Sequence, residues 1–367
     1  MKIAIHNRPG SYSDEWINYC KTNNIDFKIV NCYDSNIVKQ LNDCDGLMWH
    51  WPHWDFKAAH FARQLTYSLE TKGKKVFPDS KTCWHYDDKV GQKYLFEAIG
   101  IPSVQTYVFY DKKEALHWCD HAVYPKVFKL RKGASSMNVK LVRRKSDAKK
   151  LVRKAFGKGF PVVDRYSLFK DRIWKIRRDK NLRSIVGLCK GLARLLVPTE
   201  LEKFSPNQKG YVYFQDFIPD NHYDTRIMVI GDCATGLKRM VRENDFRASG
   251  SGSFSYDPDK IDLEKVRLAF EIAAKLKTQS VAFDFVSHNG KPLIVEISYA
   301  SIIDHNNPGY WDKDLNWHYA EFFEERYMIE SFIKSFEATP IKKQDNKNYN
   351  SLTGAKLFSQ MADHKIL

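Results

Sequence analysis

Two acidic residues in the C-terminal third of the chain stand inside apolar stretches that are typical of β-strands. Asp284 lies within Val281–Phe285, Glu296 lies within Leu293–Ser298, and a short turn separates the two stretches. A charged side chain is rarely buried unless it is paired or binds a cation. The pair therefore predicts either a cation site or an ordinary hairpin with two outward-facing acids.

The length of the turn decides between these two alternatives. A two-residue turn at Asn289–Gly290 would set Glu296 opposite Phe283 and leave the carboxylates on opposite faces. A three-residue loop, His288–Gly290, would make Glu296 the diagonal neighbour of Asp284 on one face. Two carboxylates at that distance repel each other unless a hard cation, typically Mg²⁺ carried with phosphates, lies between them.

Positively charged residues before this pair suit an anionic ligand. Lys129 lies on a predicted strand that leads into a loop of small residues, Gly133–Ser136. Such a loop lets backbone N–H groups approach phosphate oxygens. Arg226, Arg239 and Arg247 add side chains that grip carboxylate or phosphate. The P-loop and G-x-G-x-x-G patterns are absent from the chain, so a different phosphate site is expected.

The first 84 residues alternate strands and helices and so predict a small parallel sheet, with ligands at the carboxyl ends of its strands. The predicted strands are Lys2–Ile5, Phe27–Val30, Gly46–Trp49 and Lys75–Phe77; the predicted helices are Asp14–Lys21 (capped by Ser13), Ser35–Leu41 and Phe56–Thr71.

Two loops at that edge, His6–Ser13 and His50–Asp55, are rich in aromatic and polar residues. His50 and His53 lack a third metal ligand at a sensible spacing, so we interpret them as part of an aromatic wall. The aromatic side chains of these loops either stack on a sugar acid or pack beneath a domain interface.

The remaining elements predict an α+β region. They are a helix Asp88–Ile99 ended by Gly100, strands Gln105–Phe109, Tyr124–Leu130 and Val139–Val142, a helix Ser146–Phe156, antiparallel strands Tyr211–Phe217, Thr225–Ile230 and Thr235–Val241, and helices Leu263–Leu276 and Glu321–Glu337. The predicted domains are an N-terminal α/β domain (1–84), a first lobe (85–160), a basic insertion (161–210), a second lobe (211–340) and a flexible polar tail (341–367).

Composition bounds the class of protein. The chain has 367 residues, 43% of them apolar, and a formal charge of +15. No stretch has the length of a signal peptide core or a membrane-spanning helix, and seven scattered cysteines favour a reducing cytoplasm. Ten basic and two acidic residues fall between Arg165 and Arg194, which suits an anionic polymer or a membrane surface, although a solvated helical face is the commoner explanation.

The order of these motifs resembles the ATP-grasp superfamily over roughly residues 85 to 305, and Gln215–Gly252 is similar to the ribosomal-protein glutamate ligases. The resemblance implies an ATP-grasp fold with two lobes that clasp ATP. It makes Lys89 and Lys129 the phosphate-contacting lysines, Gly133, Ala134, Ser135 and Ser136 the loop over the β- and γ-phosphates, Gln215, Asp216, Phe217 and Ile218 the adenine site, and Asp224 a further residue of the ATP site. Asp284, Glu296 and Ser298 would hold Mg²⁺ (or Mn²⁺), and Arg239 and Arg247 would stabilise the substrate carboxylate or an acyl phosphate.

The chain departs from the family at one metal position. The family commonly has Glu-x-Asn in the last metal strand, whereas this chain has Glu296-Ile297-Ser298. A serine hydroxyl is a poorer magnesium ligand than an amide carbonyl, so the number of metal ions is an open question.

The activity that the resemblance implies is an ATP-dependent ligase that joins a carboxylate, such as a sugar acid or a glycan or peptide carboxylate, to an amine through an acyl phosphate. Loss of Asp284 or Lys129 should then abolish activity with little effect on folding. A phosphotransferase with the same fold is one alternative, and a basic nucleic-acid or membrane-surface binding protein built around residues 165–194 is another. A homodimer is also open.

Overall fold

The computed structural model describes residues 1–133, 136–165, 200–242, 245–301 and 305–337, with a few single positions between 166 and 199. The chain divides into two compact units, Met1–Phe332 and Ile333–Leu367. The predicted basic segment 165–194 lies almost wholly outside the described residues, and the predicted tail 341–367 lies entirely outside them. Among the residues described, no helix is long and apolar enough to cross a membrane.

The N-terminal region forms the predicted parallel sheet, with strand order β2-β1-β3-β4. Its elements are β1 Lys2–His6, α1 Tyr12–Thr22, β2 Asp26–Val30, α2 Ile37–Gln40, β3 Gly46–Met48, α3 Phe56–Thr71 and β4 Lys75–Phe77. The bounds of α3 and β4 agree with the prediction. Asp55 begins α3 because its side chain accepts a hydrogen bond from the backbone N–H of Ala58.

Two details of this region differ from the prediction. The N-cap of α1 is Ser11, and the Ser13 hydroxyl instead accepts from Arg8 N at 3.0 Å and donates to Arg8 O at 3.1 Å. Ser13 therefore holds the loop before the helix rather than capping it. The second helix, α2, is only four residues long.

The middle region is an antiparallel sheet with strand order β5-β8-β6-β7. Its elements, in chain order, are α4 Ser80–Cys83, α5 Lys89–Ile99, β5 Thr106–Phe109, α6 Lys112–His121, β6 Lys126–Lys129, β7 Lys140–Val142, α7 Lys145–Ala155, α8 Glu200–Phe204 and β8 Val212–Asp216. The expected end of α5 is confirmed, since Gly100 has a left-handed backbone with φ of 62°.

No element was predicted where α6 lies. Asp111 begins this helix by accepting from the backbone N–H groups of Lys113 and Glu114. Ala115 and Cys119 are buried, and Leu116 and Trp118 pack against the same core. The helical spacing of these four residues is a signal in the sequence, but it is confined to ten residues and was not recognised.

The third region is a larger antiparallel sheet with strand order β13-β12-β9-β10-β14-β15, in which β11 pairs with β10. Its elements are β9 Tyr223–Ile230, β10 Cys233–Met240, β11 Phe254–Ser255, a 3₁₀ turn Pro258–Lys260, α9 Leu263–Leu276, β12 Ser280–His288, β13 Lys291–Ser298, β14 Gly309–Trp311, β15 Trp317–Tyr319 and α10 Glu324–Glu337. The bounds of α9 match the prediction, whereas β14 and β15 were not predicted.

Alternation along the strands separates the cores from the site. In β12, Phe283 and Phe285 pack in the core beneath the large sheet, and Asp284 between them points to the other face. In β6, Phe128 packs in the core of the middle sheet, while Lys129 points away from it. The faces opposite these two cores meet across a common cavity.

Candidate active site

One cavity of about 950 Å³ lies between the middle sheet and the large sheet, and the loops of the N-terminal sheet reach into it. Fourteen of the sixteen predicted site residues line it: Lys89, Lys129, Gly133, Ser136, Gln215, Asp216, Phe217, Ile218, Asp224, Arg239, Arg247, Asp284, Glu296 and Ser298. The other two, Ala134 and Ser135, lie outside the described residues. The structure thus brings together residues that are up to 209 positions apart in the sequence (Lys89 and Ser298).

The two carboxylates share a face, but for a different reason from the one predicted. The turn is the two-residue Asn289–Gly290, both residues with positive φ, and His288 pairs directly with Lys291. This turn alone would have separated the carboxylates. A β-bulge shifts the register after Phe285, so that Asp284 lies directly opposite Glu296.

The bulge residue is Val295, which has no partner in the register between the two strands. Ile294 and Ile297 on either side of Val295 and Glu296 are both buried in the core. Val295 and Glu296 consequently lie side by side along the cavity. Of the two alternatives for the turn, the two-residue one is present, and the bulge nevertheless leaves both carboxylates on one face.

Asp284 is held by two arginines. Arg226, its partner on β9, donates from Nε at 2.7 Å and from Nη2 at 2.9 Å, and Arg239 Nη2 lies 2.8 Å from Asp284 Oδ2. Arg239 in turn makes a bidentate pair with Asp224, at 2.7 and 2.6 Å. Burial opposes ionisation of Asp284, yet the two arginines hold the pKa of its carboxyl well below the usual range.

Lys89 joins the small-residue loop to Glu296. Its ammonium donates to Gly133 O at 2.7 Å and lies 3.0 Å from Glu296 Oε1, with only 6% of its side chain exposed. Burial acts against its charge, but Glu296 and Asp87 raise the pKa of Lys89. Asp87 also accepts from Gly133 N at 2.7 Å, so the base of the loop is fixed from both sides.

Helix α5 sets the position of Lys89 relative to Glu296. Gln92, one turn further along the helix, donates to Ile297 O at 2.8 Å and accepts from Ile297 N at 3.2 Å. Ile297 follows Glu296 on β13, so this pair of hydrogen bonds couples the start of the helix to the strand that carries the carboxylate.

Lys129 has a neutral partner. Its ammonium donates to Gln215 Oε1 at 2.6 Å, and Gln215 Nε2 donates to Thr106 Oγ1 at 3.2 Å. Burial, together with the nearby charge of Lys89, lowers the pKa of Lys129 to about 8. This lysine is therefore a cation near neutral pH that an anionic ligand would stabilise.

The segment after β8 borders an apolar part of the cavity. Val104, Val127, Val286 and Val295 line this part together with Phe217 and Ile218. The Asp216 side chain points to Lys126, at 2.5 Å, and its backbone N–H donates to Gln105 O. A flat apolar ring fits between such walls, beside the polar backbone of residues 216–218.

Arg247 was predicted to act with Arg239, but the two arginines pair with different carboxylates. Arg247 Nε and Nη2 both donate to Asp245 Oδ2, at 2.8 and 2.6 Å, and Nε also lies 3.1 Å from Asp245 Oδ1. The flanking stretch 248–250 also lines the cavity, and Ser136 Oγ lies 3.5 Å from Ser249 O.

The aromatic loops of the N-terminal region mostly pack as structure. Tyr12, Trp49 and Trp51 are 0%, 1% and 4% exposed. Tyr12 Oη donates to Ser301 O at 2.8 Å, and Tyr299 Oη donates to Trp51 O at 2.8 Å. Packing beneath an interface is therefore the right interpretation for these three residues, whereas Trp54 is half exposed at the cavity.

His50 belongs to this packed layer. Its ring stacks on Tyr12 with centroids 4.1 Å apart, and its Nδ1 lies 3.0 Å from Ser11 Oγ and 3.3 Å from Arg8 Nη2. Burial and the charge of Arg8 lower the pKa of His50 to about 3, so the imidazole is neutral.

The predicted metal residues differ in how ready they are to bind a cation. Glu296 is 30% exposed and its carboxylate receives one lysine, so it suits a hard cation. Asp284 supplies oxygens of the right chemistry, but both accept from arginine. The Ser298 hydroxyl donates to Ala300 O at 2.7 Å, although it faces the same cavity. Glu296 would therefore hold Mg²⁺ more readily than Asp284, whose two oxygens accept hydrogen bonds from Arg226 and Arg239.

Comparison with known proteins agrees with this fold. The profile of the RimK-like ATP-grasp domain matches residues 128–306. No curated protein matches the chain by sequence.

Several solved structures share the fold. A RimK domain protein ATP-grasp from Sphaerobacter thermophilus is 16% identical and covers 83% of this chain and 93% of its own, with a TM-score of 0.52. D-alanine–D-alanine ligase from Bacillus anthracis, complexed with ATP, is 12% identical and covers 92% and 98%, with a TM-score of 0.52. The biotin carboxylase domain of Hydrogenobacter thermophilus 2-oxoglutarate carboxylase, in complex with MgADP, is 14% identical and covers 90% and 69%, with a TM-score of 0.54.

The chain thus has an ATP-grasp fold. Residues 128–306 form a RimK-like ATP-grasp domain. The predicted resemblance to ATP-grasp carboxylate–amine ligases is confirmed at the level of this domain and of the fold. The roles of individual site residues and the domain boundaries remain predictions.

Two residues of the site were not assigned from the sequence. Arg226 was noted only as a nearby cation, although its pairing with Asp284 follows once β9 and β12 are placed side by side. Asp87, which anchors Gly133, carries a left-handed backbone with φ of 50° that no sequence pattern announces.

Proposed function

We propose that this protein is an ATP-dependent carboxylate–amine ligase that activates its acid as an acyl phosphate and releases ADP and phosphate. The observation that carries the proposal is the convergence of Lys89, Lys129, Arg226 and Arg239 around the opposed carboxylates Asp284 and Glu296 in one cavity. Lys129, Arg226, Arg239 and the two carboxylates fall within the RimK-like ATP-grasp domain, residues 128–306, and this supports the same class of reaction.

ATP would lie with its base between the valine-lined walls, where residues 216–218 offer backbone groups. Its phosphates would meet Lys129 and Lys89, whose side chains are buried and already oriented. The loop that begins at Gly133 would cover the β- and γ-phosphates. Because hydrogen bonds already hold both ammonium groups in place, little free energy is needed to reorient them when the phosphates bind.

Glu296 and Asp284 would hold Mg²⁺, with Ser298 on the same face. When bound, the ion would neutralise phosphate charge and orient the terminal phosphoryl group. If Asp284 held the ion, Arg226 and Arg239 would be available to an anion in the cavity. We assign them to the substrate carboxylate and to the charge that develops on the phosphoryl oxygens.

The reaction then has two stages. A carboxylate oxygen forms a bond to the γ-phosphorus while the bond from that phosphorus to ADP breaks. An amine next attacks the acyl carbon, loses a proton, and expels inorganic phosphate. The protein contributes mainly position and charge, since the lysines and arginines stabilise oxyanions in both stages.

A sugar acid, or a glycan or peptide carboxylate, is our proposal for the acid, and the half-exposed Trp54 offers one face for stacking. We place the protein in the cytoplasm, where ATP is available; the six described cysteines are free thiols, as a reducing compartment would keep them. An anionic polymer or membrane surface as a partner of residues 165–194, and a homodimer, stay predictions.

The test is ADP release with a panel of carboxylates and amines, combined with mass analysis of the products. We expect ADP and free phosphate in equal amounts only when an acid and an amine are both present, together with the condensed product. Lys129→Ala should abolish this release, whereas Lys209→Ala, an exposed lysine outside the cavity, should not. A stable phosphorylated acid with no dependence on amine would show a phosphotransferase instead.

A further inference from the structure

The end of the cavity that the N-terminal loops form has a chemistry of its own. Arg8 and Ser11 follow β1, His50 and Trp54 follow β3, and Glu324 begins α10. The hydrogen bonds that join Tyr12 to Ser301 and Tyr299 to Trp51 fix these loops against the large sheet. This end is therefore a preformed surface rather than a loose rim.

Six lysine and arginine side chains line the cavity: Arg8, Lys89, Lys129, Arg226, Arg239 and Arg247. Four of them are paired with carboxylates, namely Glu296, Asp284, Asp224 and Asp245. Lys129 bonds to the Gln215 amide. Within the described ranges, Arg8 is the only arginine of the six that has no carboxylate within salt-bridge distance.

Arg8 is nevertheless held in place. Its Nη2 lies 3.3 Å from His50 Nδ1, and its Cζ lies 5.4 Å from the centre of the Trp54 ring. Because His50 is buried and neutral, it accepts a hydrogen bond without neutralising the charge of Arg8. Arg8 Nε is buried and has no partner in the part of the chain that the structure describes. A stacked guanidinium with donors to spare is suited to a planar or tetrahedral oxyanion.

In the proposed function, the nucleotide phosphates and the reacting carboxylate have their cations in Lys89, Lys129, Arg226 and Arg239, none of which lies on the N-terminal loops. Binding these groups does not explain why a further arginine, without a carboxylate partner, lies on the N-terminal loops. Glu324 at the same end accepts a hydrogen bond from the Ser301 hydroxyl, so this end also offers an acceptor to a hydroxyl or amino group.

We propose that Arg8 binds a second anionic group of the acid substrate, so that the substrate carries a carboxylate or phosphate besides the carboxylate that is activated. This inference rests on the proposed ligase function and narrows its substrate class. Arg8, supported by Trp54 and His50, selects dianionic acids over acids with a single charge.

The test uses the full chain with magnesium and a non-hydrolysable ATP analogue, and measures binding by calorimetry. The probes are succinate and glucuronate 1-phosphate, which carry a second carboxylate or a phosphate, and propionate and glucuronate, which carry one carboxylate. We expect one of the dianionic probes to bind at least about tenfold more tightly than its single-charge counterpart. Which of the two does so distinguishes a carboxylate from a phosphate as the second anion.

Arg8→Gln should weaken that binding by roughly 10- to 100-fold and remove the preference. Arg8→Lys keeps the charge but loses the planar fork, so it should retain part of the preference. Arg267→Gln, an exposed arginine on α9 outside the cavity, is the matched control and should bind as the wild type does.

Equal binding of both kinds of probe by the wild type, or binding of neither dianion, would overturn the inference, as would an unchanged preference in a folded Arg8→Gln protein. Failure of the ligase proposal looks different. In that case no combination of acid and amine releases ADP, whatever the charge of the acid.

Discussion

Replacing Asp284 with asparagine should destabilise the protein as well as abolish its activity. The sequence alone predicted a loss of activity with little effect on folding, because a metal ligand at a cavity is dispensable for packing. The structure changes that expectation. Asp284 accepts three charged hydrogen bonds, at 2.7, 2.9 and 2.8 Å, from two arginines that would otherwise face each other.

The size of this destabilisation depends on which contacts each arginine keeps after the substitution. Breaking a buried ion pair by removing one partner costs about 3–5 kcal/mol. Arg239 keeps its bidentate pair with Asp224, and 22% of the Arg226 side chain is exposed, so both losses are partly compensated. An asparagine amide would also place a donor against an arginine donor. We therefore expect the free energy of unfolding to fall by about 2–4 kcal/mol.

The stability difference between the wild type and Asp284→Asn should also depend on pH. The pKa of Asp284 in the folded state lies below its unfolded value, so its contribution to stability is complete above the unfolded value, about 3.9, and is lost as the pH falls through the folded value. The gap between wild type and variant should accordingly be constant from pH 5 upward, to within about 0.5 kcal/mol, and shrink in stronger acid.

Urea unfolding followed by far-UV circular dichroism measures both effects. The matched control is Asp220→Asn, an exposed acid at the same cavity whose left-handed backbone, with φ of 61°, tolerates asparagine. If Asp284→Asn unfolds within about 0.5 kcal/mol of wild type and of this control, the arginine pairing does not exist in solution. A double-mutant cycle with Arg226→Gln should give a coupling of about 1–3 kcal/mol.

Two further predictions concern the cations and the metal. Because the pKa of Lys129 is lowered to about 8, the affinity for an ATP analogue should fall by up to about tenfold between pH 7 and pH 9, and binding near pH 8 should take up protons. Lys129→Arg should remove this pH dependence. An affinity of the wild type that does not change with pH would contradict the assignment of Lys129 to the phosphates. Glu296→Gln should raise the Mg²⁺ concentration for half-maximal ADP release by at least about tenfold, because it removes the carboxylate that is most ready to bind the ion, whereas Glu271→Gln on the exposed face of α9 should leave that concentration unchanged. An unaltered magnesium requirement in Glu296→Gln would place the ion elsewhere.

Much of the fold was predictable because local signals were strong. Asp55 at the start of α3 and Gly100 at the end of α5 mark helix ends that agree with the structure. Helix α6 was missed because its apolar face is short: Ala115, Leu116, Trp118 and Cys119 pack against the core within ten residues that are otherwise polar. Strands β14 and β15 are three residues each and depend on partners distant in the chain.

The hairpin shows the limit of reasoning from local pattern. Asn289–Gly290 is a strong signal for a two-residue turn, and the structure contains that turn. The bulge that follows depends on the need to bury both Ile294 and Ile297 against α9 and its neighbours, which breaks the alternation within β13. A hint was present, since these isoleucines are three residues apart rather than two, but only the packing of the core against them shows which residue is extra.

By itself the sequence determined the kinds of groups at the site and the elements that carry them, because strand alternation and motif order are local properties of the chain. Through the resemblance to the ATP-grasp superfamily, it predicted that Asp284, Glu296, Lys129 and Arg239 belong to one site, and the four side chains do line one cavity. Tertiary structure decided how those charges pair. Strand β9 lies beside β12 and gives Asp284 to Arg226, and α5 lies over β13 and gives Glu296 to Lys89. It also left Arg8 without an acid, since ion pairing depends on distances of a few ångströms between segments that the sequence does not relate.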